Sequence, residues 1–291
     1  MTVGLAMIAG GFAAGVFGSL LGLGGGILIV PLVTLGFGLP LREAVGVSLV
    51  SVIATSGASA GVYLGRHVAN LRLGMSLELF TATGALAGAL VAFAVPDRVL
   101  AGLFAALLLY VALSMIRTLR SGTAADPNAT MPAPGDRSPE RLRPDDPPAE
   151  WSSRPAVSTV ADRLSGPGYR VRNLPLGIAG SLFAGVISAL LGIGGGIVKV
   201  PVMHLGMGVP MRVATATSNL MIGITATSSA IIYFLRGGID AYVAGPTVLG
   251  VFVGATVGSR SAHRVDARLL RVLFVAVLLY TAWQMIGRAL A

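Results

Sequence analysis

Apolar residues fall in ten runs, at about 3–21, 25–38, 43–65, 73–95 and 99–118, then at about 174–191, 195–208, 213–235, 242–259 and 269–289. Most of these runs are long enough to cross a hydrocarbon core of about 30 Å as helices. The runs at 25–38 and 195–208 hold only about 14 residues, short for a full span, and read as half-helices. Polar residues collect instead between 119 and 172, a stretch rich in Pro, Arg, Asp and Ser with no apolar period. That stretch predicts a solvated, largely disordered linker, with a docking role as the alternative.

The second set of runs copies the first. Residues 15–117 return at 185–287 with a constant offset of 170 and no gap. Leu20-Leu21-Gly22-Leu23-Gly24-Gly25-Gly26-Ile27 becomes Leu190-Leu191-Gly192-Ile193-Gly194-Gly195-Gly196-Ile197. Pro31, Pro40, Arg42, Ser48, Thr55 and Ser59 recur as Pro201, Pro210, Arg212, Ser218, Thr225 and Ser229. Duplicated, glycine-interrupted apolar segments mark carriers whose ligand lies between two related halves. The expected units are a first membrane repeat at 1–118, the linker at 119–172 and a second membrane repeat at 173–291.

Charge placement orients the copies. The first repeat has its basic loop at Arg66, His67 and Arg72, the second at Arg260, His263, Arg264 and Arg268, which is the opposite loop of the unit. Loops rich in Arg and Lys stay cytoplasmic, so the copies should face opposite ways. A helix, a glycine break and a returning half-helix at the head of each copy satisfy the crossing count. The predicted architecture is an all-α polytopic membrane protein of two inverted repeats, each with about five helical segments and each opened by a glycine-broken hairpin. The N-terminal run lacks a positive leader and has a mid-chain equivalent at 173–191, so it reads as a mature membrane helix.

Composition agrees and excludes other classes. The chain is 54% hydrophobic and 11% charged with a mean hydropathy of +0.82, outside the range of soluble domains. Its formal net charge of +9 is scattered between apolar spans, so no nucleic-acid face is expected. With no Cys, and three His that lack ligand spacing, neither a metal nor another cofactor is expected. The lipid bilayer is the one partner that composition alone requires. Oligomeric state is not legible.

Three glycines in a row inside an apolar run cost a helix about 1 kcal/mol each. Backbone freed at membrane depth must be buried in protein or line a cavity. The helix that restarts at Ile27 or Ile197 would present unpaired N–H groups and the positive end of its dipole, which suits an oxyanion. Gly24, Gly25, Gly26, Gly194, Gly195 and Gly196 are therefore candidate substrate-binding residues. The alternative is that small residues merely permit close helix crossing.

Further candidates surround the breaks. Lys199, the one Lys in the chain, lies three residues past Gly196. It would add a full charge beside the second turn, or else snorkel to the surface. On the first reading, Lys199→Met weakens anion binding and leaves folding largely intact. Ser48, Ser51, Thr55 and Ser59 share one helix face; their counterparts are Ser218, Met221, Thr225 and Ser229, with Asn219 beside the first. Ser48, Ser51, Ser218 and Asn219 are assigned to the site, and Thr55, Ser59, Thr225 and Ser229 to packing. Glu78, opposite Val248, is a candidate for proton coupling or an interfacial residue one turn from Arg72. Arg42 and Arg212 would attract anions or anchor the interface. No catalytic constellation appears within the apolar runs, so no enzymatic activity is expected.

The paired GLGGGI and GIGGGI motifs, each followed by a Pro, a Pro-x-Arg-x-Ala and a Ser/Thr-rich helix, resemble the TauE/SafE sulfite exporter family. The resemblance covers both repeats, and the long linker departs from it. It implies a bacterial inner-membrane carrier of sulfite, organosulfonates or related small oxyanions, often moved outward. Both lines of reasoning lead to a secondary carrier working by alternating access. An anion channel is the alternative within transport, and a non-transporting scaffold the alternative outside it. The topology makes a direct forecast. Single cysteines introduced as Ala69→Cys, Thr130→Cys and Ala262→Cys should all react with an impermeant thiol reagent from the cytoplasmic face. Labelling from different faces would sink the inverted arrangement.

Overall fold

In a computed structural model, ten helical segments carry the two repeats. Residues 2–20, 26–65, 69–120, 164–165, 171–261 and 267–290 are described. The first repeat comprises α1 (Thr2–Leu20), α2 (Gly26–Pro31), α3 (Leu41–Gly65), α4 (Leu71–Ala94) and α5 (Asp97–Arg120). The second comprises α6 (Leu174–Leu191), α7 (Gly196–Pro201), α8 (Met211–Leu235), α9 (Ala241–Ser261) and α10 (Ala267–Leu290). Both short helices widen into a π-turn just after an internal proline, at Leu32–Gly36 and Val202–Gly206. Pro31 and Pro201 have no N–H for the i−4 carbonyl, so the ladder loosens there.

Each repeat opens with an antiparallel hairpin. A Cβ on Gly10 of α1 would meet Leu32 at 3.0 Å, and one on Gly180 of α6 would meet Val202 at 2.6 Å. Helix α3 then runs back along α2, because Ser48 lies beside Gly26 at its start. The rest of α3 continues about 25 Å past that level. The break therefore sits at depth, and three continuous helices follow each hairpin. An odd number of crossings turns the second copy over.

The halves interlock. Helix α1 packs on α9 and α6 on α4, while α3 meets α8 and α5 meets α10, so the pseudo-two-fold exchanges these main contacts. Glycines set the closest approaches. A Cβ on Gly84 would strike the Leu182 carbonyl, one on Gly254 the Phe12 carbonyl, and one on Gly11 would lie 2.5 Å from the Thr247 carbonyl. Close backbone contact through small residues is how apolar helices gain packing in lipid. Leu5, Phe12, Leu90, Leu103, Phe183, Phe252 and Trp283 stay exposed on the outside, where acyl chains would cover them.

Two regions add contacts that the sequence does not reveal. Arg42 is tied to the Asp97 carboxylate at 3.0 Å and donates to the Val95 carbonyl at 2.9 Å, so it anchors α3 to the α4–α5 turn. Two residues near the end of the expected linker are buried. Leu164 and Val171 are buried in a cluster with Leu73, Leu77, Met203, Met207 and Met221, and Asn70 donates to the Leu164 carbonyl at 2.8 Å. The rest of the linker, 121–163 and 166–170, lies outside the described residues. The packing forecasts a contrast between glycines. Gly84→Ala should destabilise the protein by about 1–3 kcal/mol, since backbone must shift to admit the methyl group. Gly245→Ala, with open space around it, should be neutral or stabilising. Thermal unfolding in detergent separates the two.

Candidate functional site

The second glycine break is described in full. Gly192, Gly194 and Gly195 adopt φ of 69°, 76° and 74°. Only glycine holds this left-handed backbone without strain, which explains the residue type at the point where α6 turns into α7. The Gly195 carbonyl accepts from the amides of Val198 and Lys199 at 3.2 and 3.1 Å, and no side chain caps the start of α7. Of the first break only Gly26 is described; Gly24 and Gly25 lie outside the described residues.

The two breaks touch. Ser48 Oγ lies 2.7 Å from the Gly192 carbonyl and 3.0 Å from the Gly26 carbonyl, so one hydroxyl serves both turns. A Cβ on Gly26 would come within 2.7 Å of the Gly192 oxygen. Val52 and Ile222, related by the repeat offset, close over the turn: a Cβ on Gly194 would meet them at 3.0 and 2.5 Å. The start of α2 thus meets the second break, with Val52 and Ile222 packed beside Gly194.

Two further hydroxyls flank it. Ser188 on α6 and Ser218 on α8 are fully buried, and neither Oγ has a hydrogen-bond partner among the described residues. A Cβ on Gly195 would lie 3.3 Å from the Ser188 Cβ, and one on Gly196 would lie 3.5 Å from the Ser218 Oγ. Leaving a buried hydroxyl unpaired costs about 1–3 kcal/mol, so two at one turn require a reason. Ser218 was legible from its place in the repeat. Ser188 was not, because its counterpart is Gly18; its spacing of four residues before Gly192 would have placed it on the face of the break.

Other predicted residues are engaged elsewhere. Ser51 donates to the Val47 carbonyl at 2.9 Å, within its own helix. Asn219 is half-buried and its backbone carbonyl accepts from Ser56 at 2.9 Å. Thr55 and Ser229 bond back to Val52 and Thr225 carbonyls, while the Ser59 side chain lies outside the described residues.

Lys199 is held by two side chains from other helices. Its Nζ donates to Glu78 Oε2 at 2.9 Å and to Thr225 Oγ1 at 2.6 Å. Thr225 Oγ1 in turn lies 2.6 Å from Glu78 Oε1, so three residues from α4, α7 and α8 form a closed ring. The Lys199 and Glu78 side chains are 1% and 5% exposed, which places Lys199 away from the surface and Glu78 away from the interface. Thr225, expected to serve packing, is a member of this ring. The ring also alters what removing the lysine would do. Lys199→Met would strand the Glu78 carboxylate, and breaking one side of a buried ion pair costs about 3–5 kcal/mol. The double variant Lys199→Met/Glu78→Leu should recover most of that loss. A double-mutant cycle by thermal unfolding checks both expectations.

Comparison with known proteins points one way. A family model described as "Sulfite exporter TauE/SafE" matches residues 7–285. The probable membrane transporter protein YunE of Bacillus subtilis is 24% identical over 95% of this chain and 94% of its own length. The probable membrane transporter protein MamO of Paramagnetospirillum magneticum is 27% identical over 98% of this chain, which spans only 44% of that relative. Sulfite exporter TauE/SafE family protein 1 of Arabidopsis thaliana is 34% identical over 37% of this chain and 24% of its own length. No solved structure matches the chain.

Proposed function

This chain belongs to the sulfite exporter TauE/SafE family and is a multi-pass transporter of the bacterial inner membrane, not an enzyme; from that premise we propose that it carries a small oxyanion by alternating access. Sulfite and short organosulfonates are the expected cargo, with export the expected direction. The observation that carries this reading is the pair of unpartnered hydroxyls, Ser188 and Ser218, beside the uncapped start of α7. Hydroxyl donors and helix amides together suit the distributed negative charge of a sulfonate or sulfite. Ser48, Gly26, Gly194, Gly195 and Gly196 supply the backbone fold of the site. By the repeat offset, Gly24 and Gly25 correspond in sequence to Gly194 and Gly195.

The packing favours a carrier over an open pore. Val52 and Ile222 are buried beside Gly194, so an ion passing at this turn would need side chains or hairpins to move. Two inverted copies related by a pseudo-two-fold provide two equivalent arrangements of that kind.

A binding series tests the reading. Sulfite, methanesulfonate, sulfate and a set of carboxylates are screened by thermal shift, and the most stabilising anion is titrated calorimetrically. Ser188→Ala and Ser218→Ala should each weaken it on the order of tenfold to a hundredfold, since a hydrogen bond to a charged group is worth about 1.5–3 kcal/mol. Ser51→Ala, which loses only an intrahelical bond, should bind normally. Equal affinity in all three variants would remove the anion from this turn.

A further inference from the structure

The ring of Glu78, Lys199 and Thr225 breaks the symmetry of the molecule. The repeat offset places Val248 opposite Glu78, Ile29 opposite Lys199 and Thr55 opposite Thr225. The symmetry-related position, Ile29 with Val248, is therefore apolar where Lys199 and Glu78 hold two full charges, and Ile29 is itself fully buried. Packing alone does not require the pair, since the related position packs without it. Charge pairs of this kind inside a membrane protein mark ion pathways and proton relays more often than they add stability.

Building on the carrier reading above, we propose that Glu78 is the binding site for a coupling proton, and that the anion and the proton bind together because Lys199 can hold only one of two negative partners. Charge accounting inside the dry core gives the reason. With Glu78 ionised and Lys199 charged, the compartment is neutral. An anion added to that state leaves a net negative charge, and a proton added alone leaves a net positive one. Each costs several kcal/mol at low dielectric. A proton on the Glu78 carboxylate together with an anion beside Lys199 restores neutrality. The proton forms an O–H bond on Glu78, the Lys199–Glu78 ion pair is replaced by a Lys199–anion pair, and no other bond changes.

The location fits. Lys199 lies three residues past the start of the short helix α7, whose N-terminal end is the glycine turn assigned to the anion. Ser218 and Thr225 share one face of α8, two turns apart, so a single helix face joins turn and ring. Because Lys199 rides on the broken helix and Glu78 on α4, exchanging the Glu78 contact for the anion also frees α7 to move against α4 and α8. In the first half no equivalent ion pair holds α2. The coupling step thus belongs to motion of the second hairpin alone.

Few other titrating groups face the ring. On α4 Arg72 is exposed, on the π-turn after α7 His204 Nδ1 is bonded to the Val209 carbonyl, and on α8 Tyr233 donates to the Ala189 carbonyl. Helix α6 carries no titrating side chain, and α3 carries Arg42 and Glu43 in its first turn, with Arg42 paired to Asp97. The side chain of Arg212, and those of α3 beyond residue 58, lie outside the described residues.

The experiment uses the full chain in detergent, weakly buffered near neutral pH with an indicator dye. Methanesulfonate and sulfate serve as probes because neither exchanges protons there. Wild type should take up one proton per methanesulfonate bound, with affinity falling about tenfold for each pH unit in the range where Glu78 must be protonated on binding. Glu78→Gln should bind methanesulfonate with no proton uptake and no pH dependence. Should that variant fold poorly, Lys199→Met/Glu78→Gln, neutral throughout, should fold, show no proton uptake and bind the anion more weakly than wild type. Anion binding without proton uptake in wild type, or unchanged uptake in Glu78→Gln, overturns the coupling alone. Failure of every anion in the thermal-shift screen overturns the carrier reading on which it rests.

Discussion

Hydrocarbon offers no hydrogen bonds, so every backbone group exposed by a broken helix has to find its partner inside the protein. That constraint organises this molecule. Each repeat interrupts its first helix at a run of glycines, which frees carbonyls on one side of the break and amides on the other. The interruption becomes tolerable only where the two breaks meet. There the Ser48 hydroxyl reaches the Gly26 and Gly192 carbonyls together, and α3, α6 and α8 wall the junction off from lipid. The inverted duplication is in this sense a solution to a solvation problem, since one hairpin alone would end in an unsatisfied tip.

The same constraint explains the interlocked packing. A hairpin whose tip must be buried at depth has to be flanked by helices from the other copy, so α1 lies on α9 and α6 on α4. Glycines at Gly11, Gly84, Gly185 and Gly254 let those helices approach until the backbone of one meets the Cα of the other. Glycine therefore does two jobs here. In the second break it supplies left-handed backbone; in the continuous helices it supplies proximity. The sequence alone does not tell these uses apart at every position, because both appear as a small residue in an apolar run.

Several buried polar groups depart from the symmetry of the repeat. Glu78 and Lys199 lie 121 positions apart in the chain and have apolar counterparts, yet they meet with Thr225 in a ring closed to solvent. Ser188 faces its turn where the first copy has Gly18. Residues of the linker, Leu164 and Val171, cover the side of the bundle where Leu73, Leu77 and Met203 gather. A duplicated scaffold supplies equivalent positions for two hairpins, and these substitutions make the positions chemically unequal.

Much of this was legible in the chain itself. The lengths of the apolar runs, their repetition at a constant offset and the exchange of basic loops determined a helical membrane protein of two inverted halves, because solvation in lipid and the positive-inside rule act on local sequence. The glycine runs located the breaks for the same reason. What the sequence could not settle was which side chains meet. Lys199 stood next to the break in the chain, but a lysine side chain is long enough to turn elsewhere, and its partners on α4 and α8 are brought to it only by the crossing of helices from both repeats. Thr225 read as packing because its neighbours on the same helix offer it a carbonyl; the ring appears only once Glu78 is placed beside it. Ser188 lacked a counterpart, so repetition was silent about it. Pairing across the two halves is a property of helix packing in three dimensions, and that tertiary packing alone decided how the buried charges and hydroxyls of this protein are arranged.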